Sequence, residues 1–366
     1  MRVKVKDLLA GCILTEDVFG LTARPIVQKN TVLTAELIEI LNLFLVPSVK
    51  VDKTLVTGMP FLPLEVMEDE NKDILDDREK KGFTGLFLES TQEYKKQFQS
   101  WQSGLSINIS KIREVLLPLL DEGKLRSIEI FSLHHLSNNE EYQYQHAVAV
   151  GLLCGFMARK LNYSKGEVIQ AALAGILADC GMVKVRPGIS QKKSALTPQE
   201  FEEIKKHSNY SYEMVQQITS LKESTKVSII QHHERLDGSG YPFGLNSNQI
   251  HPVAKLIGVA DTYHAMTSER LYRKKQSPFR VLELMRQDYF GQFDLSALKA
   301  LSEGIINFSI GSKVRLSNGK LGEVLFITEK SPTRPLIKLT ETEEMMNLEE
   351  HLDLFIEEII FEESFK

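Results

Sequence analysis

The chain has 366 residues, of which 42% are hydrophobic and 25% charged; this is the composition of a globular protein long enough for two or three domains. A formal charge of -5 excludes the broadly basic surface needed for non-specific nucleic-acid binding, so DNA is not an expected partner. A small phosphorylated ligand needs only a few local cations and stays within reach.

The N-terminus, Met1 to Lys6, alternates like a strand and lacks a secretory apolar core. Residues 1–55 read as a small α/β module. Val3 and Val5 form one strand, Ile26-Val27 a second and Val49-Lys50-Val51 a third, with a Thr34-capped helix from Ala35 to about Phe44. An acidic stretch from Glu65 to Glu79 is either a linker or a solvated helix. Residues 56–124 form a charged and helical connector, in which Leu86, Tyr94, Phe98 and Trp101, then Ile109, Ile112, Leu116 and Leu119, carry helical periodicity.

Residues 125–308 read as almost wholly helical. Thr197-Pro198-Gln199-Glu200 is a helix start, with a Thr cap, proline at the first helical position and an acid three residues after the cap. Pro252 opens another. The apolar run from Ala171 to Ala178 falls far short of the ~20 residues that span a bilayer, so no membrane span is expected. Residues 309–366 change character: Val314-Arg315-Leu316 and Leu321 to Ile327 flank an Asn318-Gly319 turn, and apolar runs follow at Leu336 to Leu339 and Leu352 to Ile356, suggesting a small β domain. The fold class expected is mainly α, with a small α/β module before the helical domain and a small β domain after it. Cys12, Cys154 and Cys180 are far apart and odd in number, which fits a reducing cytoplasm and no disulfide framework.

Within the helical domain, five segments each aim an imidazole or carboxylate at an apolar face. His146 lies on one stripe with Val150, Leu153 and Met157. Asp179 ends an apolar helix, and His207 follows Ile204 on a helix with Phe201 and Ile218 inward. His232 and His233 end a helix carrying Val227 and Ile230, and Asp261 follows Ile257 by four. One such histidine is ordinarily a hydrogen-bonded core residue. Five segments together bury too many ionisable groups unless they are paired or hold a cation. Imidazole with carboxylate suits Fe or Mn, with Zn as an alternative, as one or two ions. Cys180 fits a core position better than a ligand. Asp237-Gly238-Ser239-Gly240 should turn through a glycine at positive φ and set Tyr241 beside the site.

In order and spacing, Glu141 to His146, Ala178-Asp179, His207, the run His232-His233-Glu234-Arg235-Leu236-Asp237-Gly238-Ser239-Gly240-Tyr241-Pro242 and Val259-Ala260-Asp261 resemble the bacterial HD-GYP family. The likeness continues through Thr267 to Lys274 and Gln292-Phe293-Asp294, about half the chain. It implies an all-helical HD-type domain with a two- or three-metal centre and, as substrate, cyclic di-GMP or a related nucleotide. By resemblance Asp179 bridges two ions and is the catalytic carboxylate. His207, His232 and His233 complete one metal position, and His146 and Asp261 belong to the other. Tyr241, Arg270 and Arg273 contact the ligand. A homodimer and a signalling-protein partner accompany the family.

The sequence departs from this pattern in four places. Ala178 replaces the histidine of the HD pair, and Met182 replaces a lysine near the phosphate. His264 replaces a second acid three residues after Asp261, and Tyr142 replaces a glutamate that supports a third metal in some members. His264, one helical turn after Asp261, is a candidate substitute ligand; the other reading is a hydrogen-bonded residue behind the ligands. The expected function is an HD-GYP signalling protein with the ligand pocket retained and turnover reduced or lost. The alternatives are a fully active cyclic di-GMP phosphodiesterase and a hydrolase of another phosphorylated nucleotide.

Overall fold

The computed structural model describes residues 1–19, 25–43, 46, 48–63, 66–67, 82–121, 133–138, 140–190, 192, 194–268, 276–287, 289–306, 310–328 and 330–360. At the N-terminus, β1 (Arg2–Lys4) pairs antiparallel with β4 (Ser48–Lys50), placing Val3 opposite Val49, and also with β5 (Val66–Met67). A second ribbon joins β2 (Val18–Phe19) to β3 (Pro25–Val27). Helix α1 (Ala35–Leu43) starts where Thr34 Oγ1 accepts the Leu37 N–H at 3.2 Å. Val5 was expected to continue the first strand; it opens a single 3-10 turn, Val5–Asp7, instead. Val3, Leu14, Leu33, Leu41, Val49 and Val51 form this module's own apolar cluster. Of the acidic stretch only Val66–Met67 is described, and it forms strand β5 where a linker or a solvated helix was expected.

Helices α2 (Phe83–Gln102) and α3 (Ile109–Leu120) follow, and on α2 the Tyr94 ring meets Trp101 edge-on at 5.6 Å. They lead into α4 (Tyr142–Lys160) and α5 (Lys165–Leu177), the latter begun by a Ser164–Glu167 capping box. A Cβ on Gly175 would lie 2.9 Å from the Val150 carbonyl oxygen, so glycine there lets α4 and α5 touch. The single-stripe expectation for α4 is corrected. The helix is buried on every side from Gln145 to Ala158, because α2, α3, α5 and two later helices surround it.

A short α6 (Pro187–Ser190) precedes α7 (Pro198–Lys205), which carries the Thr197–Glu200 capping box with proline at its start, as the sequence predicts. The helix is interrupted at Lys206 before α8 (His207–Val215). Phe201 is not inward: it is 45% exposed, and α7 buries no residue. The remaining helices are α9 (Glu223–Ile230), α10 (Pro252–Thr267), α11 (Pro278–Gln287) and α12 (Leu295–Ile305). The stretch Lys165–Lys184, longer than the apolar run read from sequence, is long and apolar enough to cross a membrane. In this fold it is a core segment, with Ala171 to Leu177 and Cys180 packed inside.

The C-terminal residues form an antiparallel sheet ordered β10-β6-β7-β8-β9, from β6 (Lys313–Leu316), β7 (Leu321–Phe326), β8 (Leu336–Leu339), β9 (Met345–Asn347) and β10 (Ile356–Ile360). The Asn318-Gly319 hairpin is present, with Gly319 at φ +82. The run read as a strand from Leu352 begins pairing only at Ile356, and β9, which carries little apolar alternation, was not foreseen. The sheet shares one continuous apolar cluster with the helices. Arg334 also reaches from the sheet to Glu283 on α11 at 2.7 Å, both side chains about 5% exposed or less.

Candidate metal centre

Each predicted ligand is delivered by a different local device. Asp179 sits just beyond α5, at the head of a 3-10 turn, Cys180–Lys184. That turn is clamped to α8: Ser211 Oγ donates to the Ala178 carbonyl at 2.6 Å and accepts the Gly181 N–H at 2.8 Å. A Cβ on Gly181 would come within 2.3 Å of the His207 carbonyl oxygen, so only glycine allows the approach. His207 opens α8, and His232 and His233 follow α9. Asp261 lies mid-way along α10, and His146 one turn into α4.

These residues converge as two groups sharing Asp179 among the described residues: Asp179, His207, His232 and His233, and His146, Asp179 and Asp261. Asp179 Oδ1 is 3.1 Å from His207 Nε2 and 3.5 Å from His232 Nε2, while Oδ2 is 3.7 Å from His146 Nε2. His146 Nε2 is 3.0 Å from Asp261 Oδ1, and His233 Nδ1 is 3.6 Å from Asp261 Oδ2.

The histidine tautomers show that a cation fits. His207 Nδ1 donates to the Ile204 carbonyl and His232 Nδ1 to the Ile229 carbonyl, each at 2.6 Å. In the neutral rings both Nε2 atoms therefore carry lone pairs, and they face each other at 3.1 Å beside the Asp179 carboxylate. Such an arrangement is repulsive unless a proton or a cation lies among them. Burial alone would raise the Asp179 carboxyl, but bonds from His207 and His232 outweigh it and hold it well below the usual carboxylate range. Burial disfavours a charged His207, yet Asp179 outweighs that and leaves His207 above its ordinary value. His233, desolvated and beside His232, is pushed well below its own. A divalent ion among these atoms would compete with a proton on the Nε2 lone pairs, so metal uptake should weaken as pH falls.

His264 is in neither group. Its Nδ1 lies 3.1 Å from His146 Nδ1, on the side of that ring away from the carboxylates, and Ser268 Oγ is 3.2 Å from it. Tyr142 Oη also reaches His146 Nδ1 at 3.1 Å. Both residues thus orient His146 from behind. Cys180 is fully buried, its thiol pushed up to about 12 by burial, as suits a core residue.

The centre opens into a cavity of about 540 Å3 whose lining includes Tyr142, Met182, Arg235, Tyr241 and Phe293. The predicted turn is present: Gly238 has φ +79, and Asp237 Oδ1 accepts the Ser239 N–H at 3.0 Å. Tyr241 packs its ring 4.7 Å from that of His233, and burial raises its phenol far above the ordinary value, so the hydroxyl stays a donor. Arg270 and Arg273 lie outside the described residues.

Sequence reasoning gave Glu234 and Arg235 no roles. Glu234 is buried and accepts the Phe243 N–H at 2.7 Å and the Leu245 N–H at 2.8 Å, tying down the far side of the tyrosine-bearing turn. Arg235 packs its guanidinium over the Phe293 ring at 4.9 Å. Their place inside the His-His to Gly-Tyr-Pro run was the available signal.

A family model described as HD domain matches residues 132–294. The chain is 34% identical over 210 residues to the cyclic di-GMP phosphodiesterase PA4108 of Pseudomonas aeruginosa, covering 57% of this chain and 50% of that protein. It is 29% identical to the cyclic di-GMP phosphodiesterase PdeB of Borreliella burgdorferi, over 57% of this chain and 55% of that one. It is 27% identical to the 3'3'-cGAMP-specific phosphodiesterase 3 of Vibrio cholerae, over 51% and 40%. The chain thus spans about half the length of the curated relatives it matches. Among solved structures, a HDG"Y"P protein from Bdellovibrio bacteriovorus, Bd1817, shares the fold with a TM-score of 0.50 at 14% identity, over 83% of this chain and 98% of that one. With the two His/Asp groups and the tyrosine-bearing turn in place, the HD-domain match over residues 132–294 and these relatives support an HD-GYP-type domain within the chain.

Proposed function

We propose that this chain binds a cyclic dinucleotide, cyclic di-GMP or the related 3'3'-cGAMP, at a two-metal centre and hydrolyses it with reduced turnover. The observation that carries the reading is the pair of ligand groups sharing Asp179 at the floor of one cavity, with a volume in the usual range for small-ligand sites. Relatives named for phosphodiesterase activity on these two nucleotides support it. Divalent Fe or Mn would supply Lewis-acid stabilisation of the charge that develops on phosphate oxygens.

The chain's own residues then have distinct tasks. Asp179 would contribute to both metal positions. His207 and His232, their Nδ1 protons committed to backbone carbonyls, present Nε2 lone pairs without rearrangement. His146 and Asp261 would hold the second position. Tyr241 keeps its proton and donates to a phosphate oxygen from the rim. Ala178 offers no imidazole to the second position, and Met182 places an apolar thioether in the cavity wall, where the family resemblance implies a lysine. Both weaken charge stabilisation in the transition state rather than ligand entry. A cytoplasmic homodimer acting with a signalling-protein partner completes the proposal.

The same two residues favour a second reading, a receptor that binds the nucleotide without cutting it. Purified protein reconstituted with Mn or Fe and incubated with each nucleotide separates the readings. Linear product forming at about 1 per second or faster refutes reduced turnover, since that lies inside the normal enzyme range. Binding without product favours the receptor. Slow product that accelerates in the Ala178→His, Met182→Lys double variant supports the proposal.

A further inference from the structure

Arg235 is a cation held in place without a carboxylate. Its Nη1 donates to the Glu234 carbonyl at 3.0 Å and to the His232 carbonyl at 3.4 Å, and its Nη2 to Thr262 Oγ1 at 3.3 Å. The Phe293 ring covers one face of the guanidinium, with Cζ 4.9 Å from the ring centre. No carboxylate among the described residues lies within ion-pair distance of it, although other half-buried and buried arginines such as Arg315 and Arg334 each have one. Neutral carbonyls satisfy part of the fork, while Asp261, Asp237 and Glu234 act on its charge from beyond ion-pair contact, and burial still disfavours the cation.

The position explains what the charge serves. Arg235 lines the same cavity as Asp179, Asp261 and Tyr241. Thr262, which holds Nη2, directly follows Asp261 on α10, so the guanidinium is fixed beside the second ligand group. Met182, which lines the same cavity, offers no charge. We infer that Arg235 is an anion-contacting residue of this cavity, pairing with a phosphate of the bound ligand and supplying the positive charge that the Met182 position lacks. The inference rests on the proposed phosphodiester chemistry and deepens it by naming a recognition residue. A guanidinium suits the task because its planar fork can keep two bonds to carbonyls while turning remaining N–H groups to phosphate oxygens. Preorganisation by Phe293 and Thr262 lowers the ordering cost of that contact.

The test uses the full chain loaded with Mn, in wild-type, Arg235→Gln and Arg235→Lys forms. Metal content is read by elemental analysis, and affinity for cyclic di-GMP and for inorganic phosphate by calorimetry. The expected result is unchanged metal content in both variants, with nucleotide and phosphate affinity about 10- to 100-fold weaker in Arg235→Gln, the loss of one charge-assisted contact. Arg235→Lys should fall between, since it keeps a point charge and loses the fork. Equal affinity of wild type and Arg235→Gln overturns the inference. So does loss of metal from both variants, which would make Arg235 a brace for the His232-His233 turn. If wild type binds phosphate but neither cyclic dinucleotide, the proposed substrate fails separately, and the phosphate comparison still decides the role of Arg235.

Discussion

Replacing Asp179 by asparagine removes the one carboxylate common to both ligand groups while preserving shape. The effect on the metal-free protein should be small. The asparagine amide can donate to the Nε2 atoms of His207 or His232, which in wild type lie 3.1 and 3.5 Å from Oδ1. The effect on metal binding should be large. An ion at 100 times its dissociation constant stabilises the folded state by about 2.7 kcal/mol. Removing even a supporting group typically weakens such sites ~10–100-fold, and a direct ligand should cost at least that. At the same free metal the gain then drops to about 0.4–1.4 kcal/mol. Thermal unfolding with and without Mn, at matched excess, should therefore show the metal-induced rise in melting temperature about halved or smaller, from roughly 3–4 °C in wild type. Elemental analysis of the same samples should find fewer ions retained after desalting. An identical metal-induced shift in Asp179→Asn and wild type would refute the shared-carboxylate centre.

His264→Ala should weaken one metal position ~10–100-fold yet leave two ions bound at saturating metal, because His264 acts through His146; permanent loss of one ion would make it a ligand instead. Gly240→Ala would place a Cβ 2.3 Å from the Arg235 nitrogen and 2.4 Å from the Glu234 Cα. Overpacking of that kind costs about 1–3 kcal/mol, so its melting temperature should fall while that of Gly166→Ala, whose Cβ meets nothing within 4 Å, should not; equal melting temperatures would contradict the packing. Burial pushes the Cys180 thiol from 9.0 up to about 12. A raised value means its stabilising contribution is complete below about pH 9 and is lost as pH rises from there toward 12. In denaturant unfolding at pH 8 and pH 10, Cys180→Ala should lose less stability with pH than wild type, and parallel losses would show that the thiol does not contribute.

Much of the site was readable because its ligands obey local rules. His232 and His233 are adjacent, Asp261 follows a buried Ile257 by one turn, and the capping box at Thr197 marks a helix start wherever it falls. The tyrosine-bearing turn declares itself through glycines, and Gly238 does adopt the positive φ that such a turn requires. The errors arose where neighbours in space overrule neighbours in sequence. His146 was assigned to one apolar stripe, but its helix is enclosed on all sides, so the apolar pattern did not mark a single face. Phe201 was placed inward by extending helical periodicity across Lys206, where one helix ends and the next begins.

The order and type of the ligand-bearing residues belong to the sequence alone, because helix periodicity, caps and turns are set by residues a few positions apart. Which nitrogen faces which oxygen belongs to the tertiary structure. Only there does His264 fall behind His146, and only there does Arg235 stand beside the centre with no ion-paired acid among the described residues. Those outcomes depend on how α4, α8 and α10 pack together, and no short-range pattern encodes the angle at which distant helices meet.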